Sequence, residues 1–169
     1  QDISMILEGL KLFLKDKAAH LVRLNFIGIN SFPEISQKVR MIIPNEFLFI
    51  SDRVSMDESV KLTLAADVLL FPSYFGYKGY YTAKIFEYLG AGRNILMVPG
   101  NNDAIDDLIL ETASGKIANS VKDFAEILEK WHMEWKNSGT IKYHGITQKI
   151  NFYSRENQNE ILCNLIKSI

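Results

Sequence analysis

Short, wholly apolar runs alternate along this chain with stretches in which apolar residues recur every three or four positions. The first pattern marks buried strands and the second amphipathic helices. The chain opens on a helix: in QDISMILEGLKLFLKD, Ile6, Leu7, Leu10, Phe13 and Leu14 share one face, with Asp2 or Ser4 as cap. A core helix at the first residues predicts that the chain is a piece of a longer protein. Strands are expected over 21–29, 46–50, 67–71, 94–98 and 115–118. Helices are expected between and after them, over 32–43, 55–66, 82–92, 102–113, 121–135, 140–150 and 155–167. Pro33 is tolerated in a first helical turn, Ser55 and Glu58 read as a capping box, and glycines end the 82–92 helix. Phe124, Ile127, Leu128, Trp131 and Trp135 form one stripe, which leaves His132 in solvent. The last helix is expected to bury Ile161, Leu162, Leu165 and Ile166, with Cys163 beside them as a buried thiol.

Strands that are apolar throughout and alternate with helices imply a parallel sheet covered on both faces. The expected fold class is α/β, a doubly wound, Rossmann-like parallel sheet, with residues 1–169 as one domain. Ligands in such folds sit at the carboxyl ends of strands. That selects the loops after Ile29, Ile50, Phe71 and Val98.

Bulk numbers narrow the function classes. The 169 residues are 47% hydrophobic and 23% charged, enough apolar material for a core without staples. A formal net charge of -1 gives no ground for nucleic-acid binding. The single cysteine excludes an internal disulfide and fits a cytoplasmic protein. His20, His132 and His144 lack metal-ligand spacing, so neither a metal nor a cofactor is expected. No apolar run is long enough to span a bilayer, and no signal peptide is recognisable.

Candidate chemistry gathers after Phe71, in PSYFGYKGYYTAKIFEYLGAG. An aromatic, glycine-bearing loop at a strand end suits a ring to be stacked on and a backbone that approaches a ligand. It equally suits packing on a neighbouring domain. On the helix that follows, Ile85, Phe86 and Leu89 face inward, and Lys84, Glu87, Tyr88 and Ala91 face outward. Thr82 is the expected cap. Lys84 near a helix N-terminus is mildly unfavourable, by a few tenths of a kcal/mol, and a bound phosphate would reverse the sign. Glu87 is placed to accept two hydrogen bonds from a sugar diol. A plain surface Lys84–Glu87 pair explains the same residues.

The stretch AADVLLFPSYFGYKGYYTAKIFEYLGAGRNIL resembles the signature of retaining glycosyltransferases of the GT-B fold, in the large family 4 group. ETASG (111–115), FISDRVSMDESVKLTLAAD and the closing SRENQNEILCNLI resemble further family segments in the same order, covering nearly the whole chain. The resemblance implies the nucleotide-sugar-binding half of a two-domain enzyme whose acceptor-binding domain lies elsewhere. Such an enzyme transfers sugar from a nucleoside diphosphate, UDP or GDP, usually without a metal. It serves cell-surface polysaccharide or glycolipid synthesis, and any membrane association runs through the rest of the protein.

Residue by residue, the resemblance matches Glu87 to the glutamate on the ribose hydroxyls. It matches Thr82, Ala83 and Lys84 to the helix start facing the pyrophosphate, with Lys84 offsetting charge on the leaving diphosphate. Arg53 and Val54 match the segment framing the base, and Ser73 to Tyr81 the loop bordering sugar and diphosphate. The chain departs from the family at Gly79, where many members carry an acidic residue, and at Gly92-Arg93-Asn94, in place of a "GxP" turn. The family's opening strand and its phosphate-binding arginine and lysine would lie ahead of Gln1. Two rivals remain open: a GT-B sugar-nucleotide epimerase and a non-catalytic Rossmann-like interaction module.

Overall fold

The computed structural model describes residues 3–73, 78–100 and 102–168. Helix α1 (Ser4–Leu14) leads through β1 (Leu24–Ile27), α2 (Pro33–Ile42), β2 (Leu48–Ser51) and α3 (Met56–Ala65) to β3 (Val68–Pro72). Then come α4 (Ala83–Ala91), β4 (Asn94–Val98), α5 (Ala104–Glu111), β5 (Gly115–Ile117), α6 (Val121–Ser138), α7 (Thr147–Phe152) and α8 (Arg155–Lys167). Every pairing among the described residues is parallel.

The fold is α/β, but its strands form two small sheets. β1 lies beside β2, with Leu24 opposite Leu48. β3, β4 and β5 form the second sheet, with Pro72 opposite Val98 and Ile95 opposite Gly115. Hydrophobic patterning says that both faces of a strand are covered; it does not name the strand at its edge. β1 is also shorter than the run 21–29, because residues 19–21 and 29–31 wind into 3-10 turns.

Two apolar cores lie on the three-stranded sheet. Leu96 and Val98 of β4 pack with Leu7 and Leu10 of α1, Val39 of α2 and Phe124 of α6. Ile95 and Met97 pack with Phe71, with Ile85 of α4 and with Ile109 of α5. Side chains alternate across a strand, so β4 is buried at all of its positions. α1 lies close on α6 because Gly9 leaves room for the Phe124 ring, which a methyl group there would overlap. At the other end of this unit, a methyl group on Gly115 would overlap the Ile95 carbonyl, so β5 can approach β4 only with glycine there.

Local signals place three of the helix starts. The Glu58 amide donates to Ser55 Oγ at 3.2 Å, one of the two bonds of the expected capping box. Ser120 and Ser154 cap α6 and α8 in the same way, accepting from Asp123 and Asn157 at 3.1 and 3.2 Å. Ser4 is the first residue of α1 rather than its cap, and its hydroxyl accepts from Lys38 Nζ at 2.6 Å. Asp2, the other expected cap, lies outside the described residues.

Several expectations are corrected. The helix expected over 140–150 is Thr147–Phe152. The segment before it runs across the edge of β4, where Asn94 Nδ2 donates to the Lys142 carbonyl at 3.2 Å. The apolar stripe of α8 is not buried: Ile161, Leu162, Leu165 and Ile166 are 43–62% exposed, and Cys163 is exposed with them. Amphipathicity shows that a helix has an apolar face, not that something covers it. His132 is buried, because α1 brings Phe13 against it, edge-on at 5.8 Å, while Trp135 stacks at 6.3 Å. Burial, helped by Lys17 and opposed by Glu129, lowers its pKa.

Candidate functional site

The start of α4 follows from the end of β3. Ser73 continues that strand: its N–H donates to the Val98 carbonyl at 2.9 Å, and the residue is buried. Ser73 is therefore a buried continuation of β3 rather than an exposed residue. Residues 74–77 of the expected aromatic loop lie outside the described residues. Gly79 takes φ +73, and its N–H donates to Asp103 Oδ2 at 2.7 Å. Asp103 thus ties this loop to the start of α5 instead of capping α5 with its side chain. A Cβ at Gly79 would meet no atom of the described residues within 4 Å, and the backbone conformation there opposes any side chain.

Tyr81 is half exposed and packs sideways, 5.5 Å from the Phe86 ring and 6.4 Å from that of Tyr153. Tyr153 in turn donates to Glu111 at 3.2 Å. These aromatic contacts tie the described end of the loop to α4 and to the turn after α7. Thr82 occupies the N-cap position in extended conformation but makes no capping bond, a correction to its expected role. Its Oγ1 is buried without a hydrogen-bond partner among the described residues. Ala83 is exposed in the first turn, and Gly92 closes the helix in the left-handed region at φ +61.

Lys84 and Glu87 meet as the spacing allows. Lys84 Nζ lies 2.6 Å from Glu87 Oε2, with the side chains 47% and 49% exposed. Lys84 Nζ also sits 5.7 Å from the centre of the Tyr88 ring. Tyr88 is turned edge-on to Phe71, and its pKa is raised by burial and, less, by Glu87. Ile85 and Leu89 are buried as expected and Phe86 is half-buried, but Tyr88, expected on the outer face, packs against the core around Phe71. The outer face therefore presents one closed, solvated ion pair, which by itself contributes little to stability.

Arg53 and Val54 lie after β2, in the other sheet. Arg53 is exposed, Val54 half-buried, and the Arg53 stem runs close to Gly28, which ends β1 at φ +80. Among the described residues no hydrogen bond or ion pair joins Arg53 or Val54 to α4. The structure gathers Tyr81, Thr82, Ala83, Lys84 and Glu87 at one helix start, with Ser73 at the end of β3, while Arg53 and Val54 follow β2 in the other sheet.

Sequence reasoning selected the loop after Val98, at the carboxyl end of β4, but missed the buried carboxylate beneath it. Asp106 is buried on α5, and its Oδ2 accepts from the Asn102 amide at 2.9 Å. The Gly100 amide donates to Asn119 Oδ1 at 3.1 Å, and any side chain at Gly100 would strike Ile117, Asn119 and Asp106. The available signal was position: Asp106 stands three residues before the buried Ile109, on the inward face. In ETASG, buried Thr112 donates to the Leu108 carbonyl at 2.6 Å and bonds Ser114, so that this motif closes α5 and admits β5.

Among the described residues no three His, Cys, Asp or Glu side chains gather as metal ligands, and no helix is long and apolar enough to cross a membrane. No family model matches the sequence, and no curated protein matches it.

Proposed function

We propose that this chain is the donor half of a retaining, family 4 type GT-B glycosyltransferase, binding a nucleoside-diphosphate sugar at the start of α4. The observation that carries the reading is the KIFEYLGAG block. It follows β3, with Lys84 and Glu87 side by side on the outer face of α4 and the exposed Ala83 in its first turn. The parallel strands and the two cores on the β3–β4–β5 sheet suit the doubly wound architecture of such a domain.

In this reading Glu87 accepts hydrogen bonds from the two ribose hydroxyls. Lys84 turns from Glu87 to the diphosphate, exchanging a solvated ion pair for a charge-assisted phosphate contact. The first amides of α4 and the Thr82 hydroxyl, which has no partner among the described residues, donate to phosphate oxygens at the positive end of the helix dipole. As the glycosidic bond to the donor breaks, negative charge grows on the leaving diphosphate, and these donors stabilise it in place. Ser73 supports the loop, and Tyr81 and Gly79 border the sugar. Arg53 and Val54 frame the base from the β2 loop. No metal is required, and the acceptor site belongs to a second domain. The substrate class is UDP- or GDP-sugar, and the product a cell-surface polysaccharide or glycolipid. The enzyme works in the cytoplasm, at the inner membrane face through that second domain.

The isolated chain is expected to transfer no sugar, and a longer polypeptide carrying both domains to transfer it with retention. Transfer by the isolated chain to any acceptor would overturn the division of labour. One observation favours a second reading, an interaction module without catalysis: Lys84 and Glu87 already satisfy each other at 2.6 Å. An epimerase on the same architecture is separated by its product, an altered nucleotide sugar formed without acceptor.

A further inference from the structure

Asp103 stands at the N-cap position of α5, in extended backbone at φ −142, and its side chain makes no capping bond. An aspartate there ordinarily accepts from the amides of the first helical turn. This one reaches instead to the loop ahead of α4, where its Oδ2 accepts from the Gly79 amide at 2.7 Å. The bond is charge-assisted, and it ties the β4–α5 loop to the β3–α4 loop.

The carboxylate is aimed by its own loop. Asn102, the residue before it, lies in the left-handed region at φ +50, where asparagine is one of the few side chains tolerated. Its amide donates to Oδ2 of the buried Asp106 at 2.9 Å. The Gly100 amide donates to Asn119 Oδ1, beyond β5, at 3.1 Å, and no side chain fits at Gly100. Two amides of this loop are thus held, one from α5 and one from the end of β5, so Asp103 is presented from a fixed base. At the receiving end Gly79 is also left-handed, at φ +73, a conformation that glycine adopts freely. Thr82, three residues on, starts α4 without a capping bond. The approach to α4 over residues 79–82 is therefore held at its far end by the Tyr81 ring, against Phe86 and Tyr153, and at its near end by Asp103.

We propose that Asp103 is a positioning residue for the α4 site: by accepting from Gly79 it keeps residues 79–82 in the conformation that a nucleoside diphosphate binds. A segment ordered in advance loses less freedom on binding. The partner of Asp103 is a neutral amide, so the role needs an acceptor oxygen and not a charge. A negative charge at the edge of a site for an anion opposes binding. The inference rests on the nucleotide reading of α4.

The test compares the polypeptide bearing both proposed domains with its Asp103→Ala and Asp103→Asn variants, by titration with UDP and GDP and by amide exchange at Gly79. Asp103→Ala removes the acceptor and should speed Gly79 exchange by roughly tenfold or more. It should also weaken the nucleotide by roughly five- to tenfold, the cost of ordering a loosened loop. Asp103→Asn keeps an acceptor oxygen, so it should retain slow exchange and bind at least as tightly as wild type. An Asp103→Asn variant as weak as Asp103→Ala would overturn the proposal, because the charge and not the bond would then matter. Slow Gly79 exchange that survives Asp103→Ala would overturn it too. Affinity that depends on Glu87 but ignores both Asp103 variants would sink this inference alone. If neither UDP nor GDP binds the wild type, the nucleotide reading falls and this inference falls with it.

Discussion

The unit around β4 and the unit of β1 and β2 are written in the same style of sequence, apolar strands between amphipathic helices, yet they are closed to different degrees. β4 is buried at every position and flanked by strands on both sides. Gly115 and Gly100 stand where no side chain fits. In the other unit, among the described residues, β1 has one neighbour, α3 has no buried residue, and Phe49 of β2 is 38% exposed. The difference is one of neighbours rather than of composition: a strand in the middle of a sheet recruits helices on both faces, and an edge strand leaves one of them idle.

Truncating a side chain in each unit should expose that contrast. Phe124 is fully buried where α6 meets α1 and β4, and Phe124→Ala is expected to destabilise by about 3–5 kcal/mol in chemical denaturation. Leu64→Ala, on idle α3, should change stability by less than about 0.5 kcal/mol. Comparable losses at both sites would mean that α3 is packed as tightly as α6 and that the units do not differ.

A smaller effect lies at the seam. His132 borders a cavity between the units, and burial, with Lys17, lowers its pKa below the usual 6.5. The unfolded chain therefore binds that proton more readily than the folded one. The neutral ring's contribution is complete above about pH 6.5 and is lost as pH falls through the folded value. The wild type should lose more stability between pH 7 and 5 than His132→Gln. Parallel curves for the two would show that the ring is as accessible as its place in a charged run suggests.

Much of this was legible in the sequence where a pattern is local. The strand expected over 67–71 and found at Val68–Pro72, the helix behind KIFEYLGAG and the stripe from Phe124 to Trp131 follow from spacing, and Ser55 announces its helix. What was not legible depends on neighbours. The gap between β1 and β3 is a fact about edges, which apolar runs do not encode. The exposed stripe of α8 and the buried His132 are matters of what does or does not lie opposite. At the site, the sequence placed Lys84 and Glu87 on one helical face, where they meet at 2.6 Å. It did not foresee that Thr82 leaves α4 uncapped, that Ser73 is buried, or that Asp103 holds Gly79. The last two depend on residues distant in sequence, Val98 and Asp103.

The central claim is that α4 carries a nucleotide site in which Glu87 reads the ribose. Calorimetric titration with UDP and GDP, on the polypeptide bearing both proposed domains and on its Glu87→Ala variant, tests it most directly. One of the two nucleotides should bind, and the variant should weaken it by about 1–3 kcal/mol, the loss of hydrogen bonds to a charged group. Binding indifferent to Glu87, or no binding of either nucleotide, would contradict the claim and leave Lys84 and Glu87 as a surface ion pair.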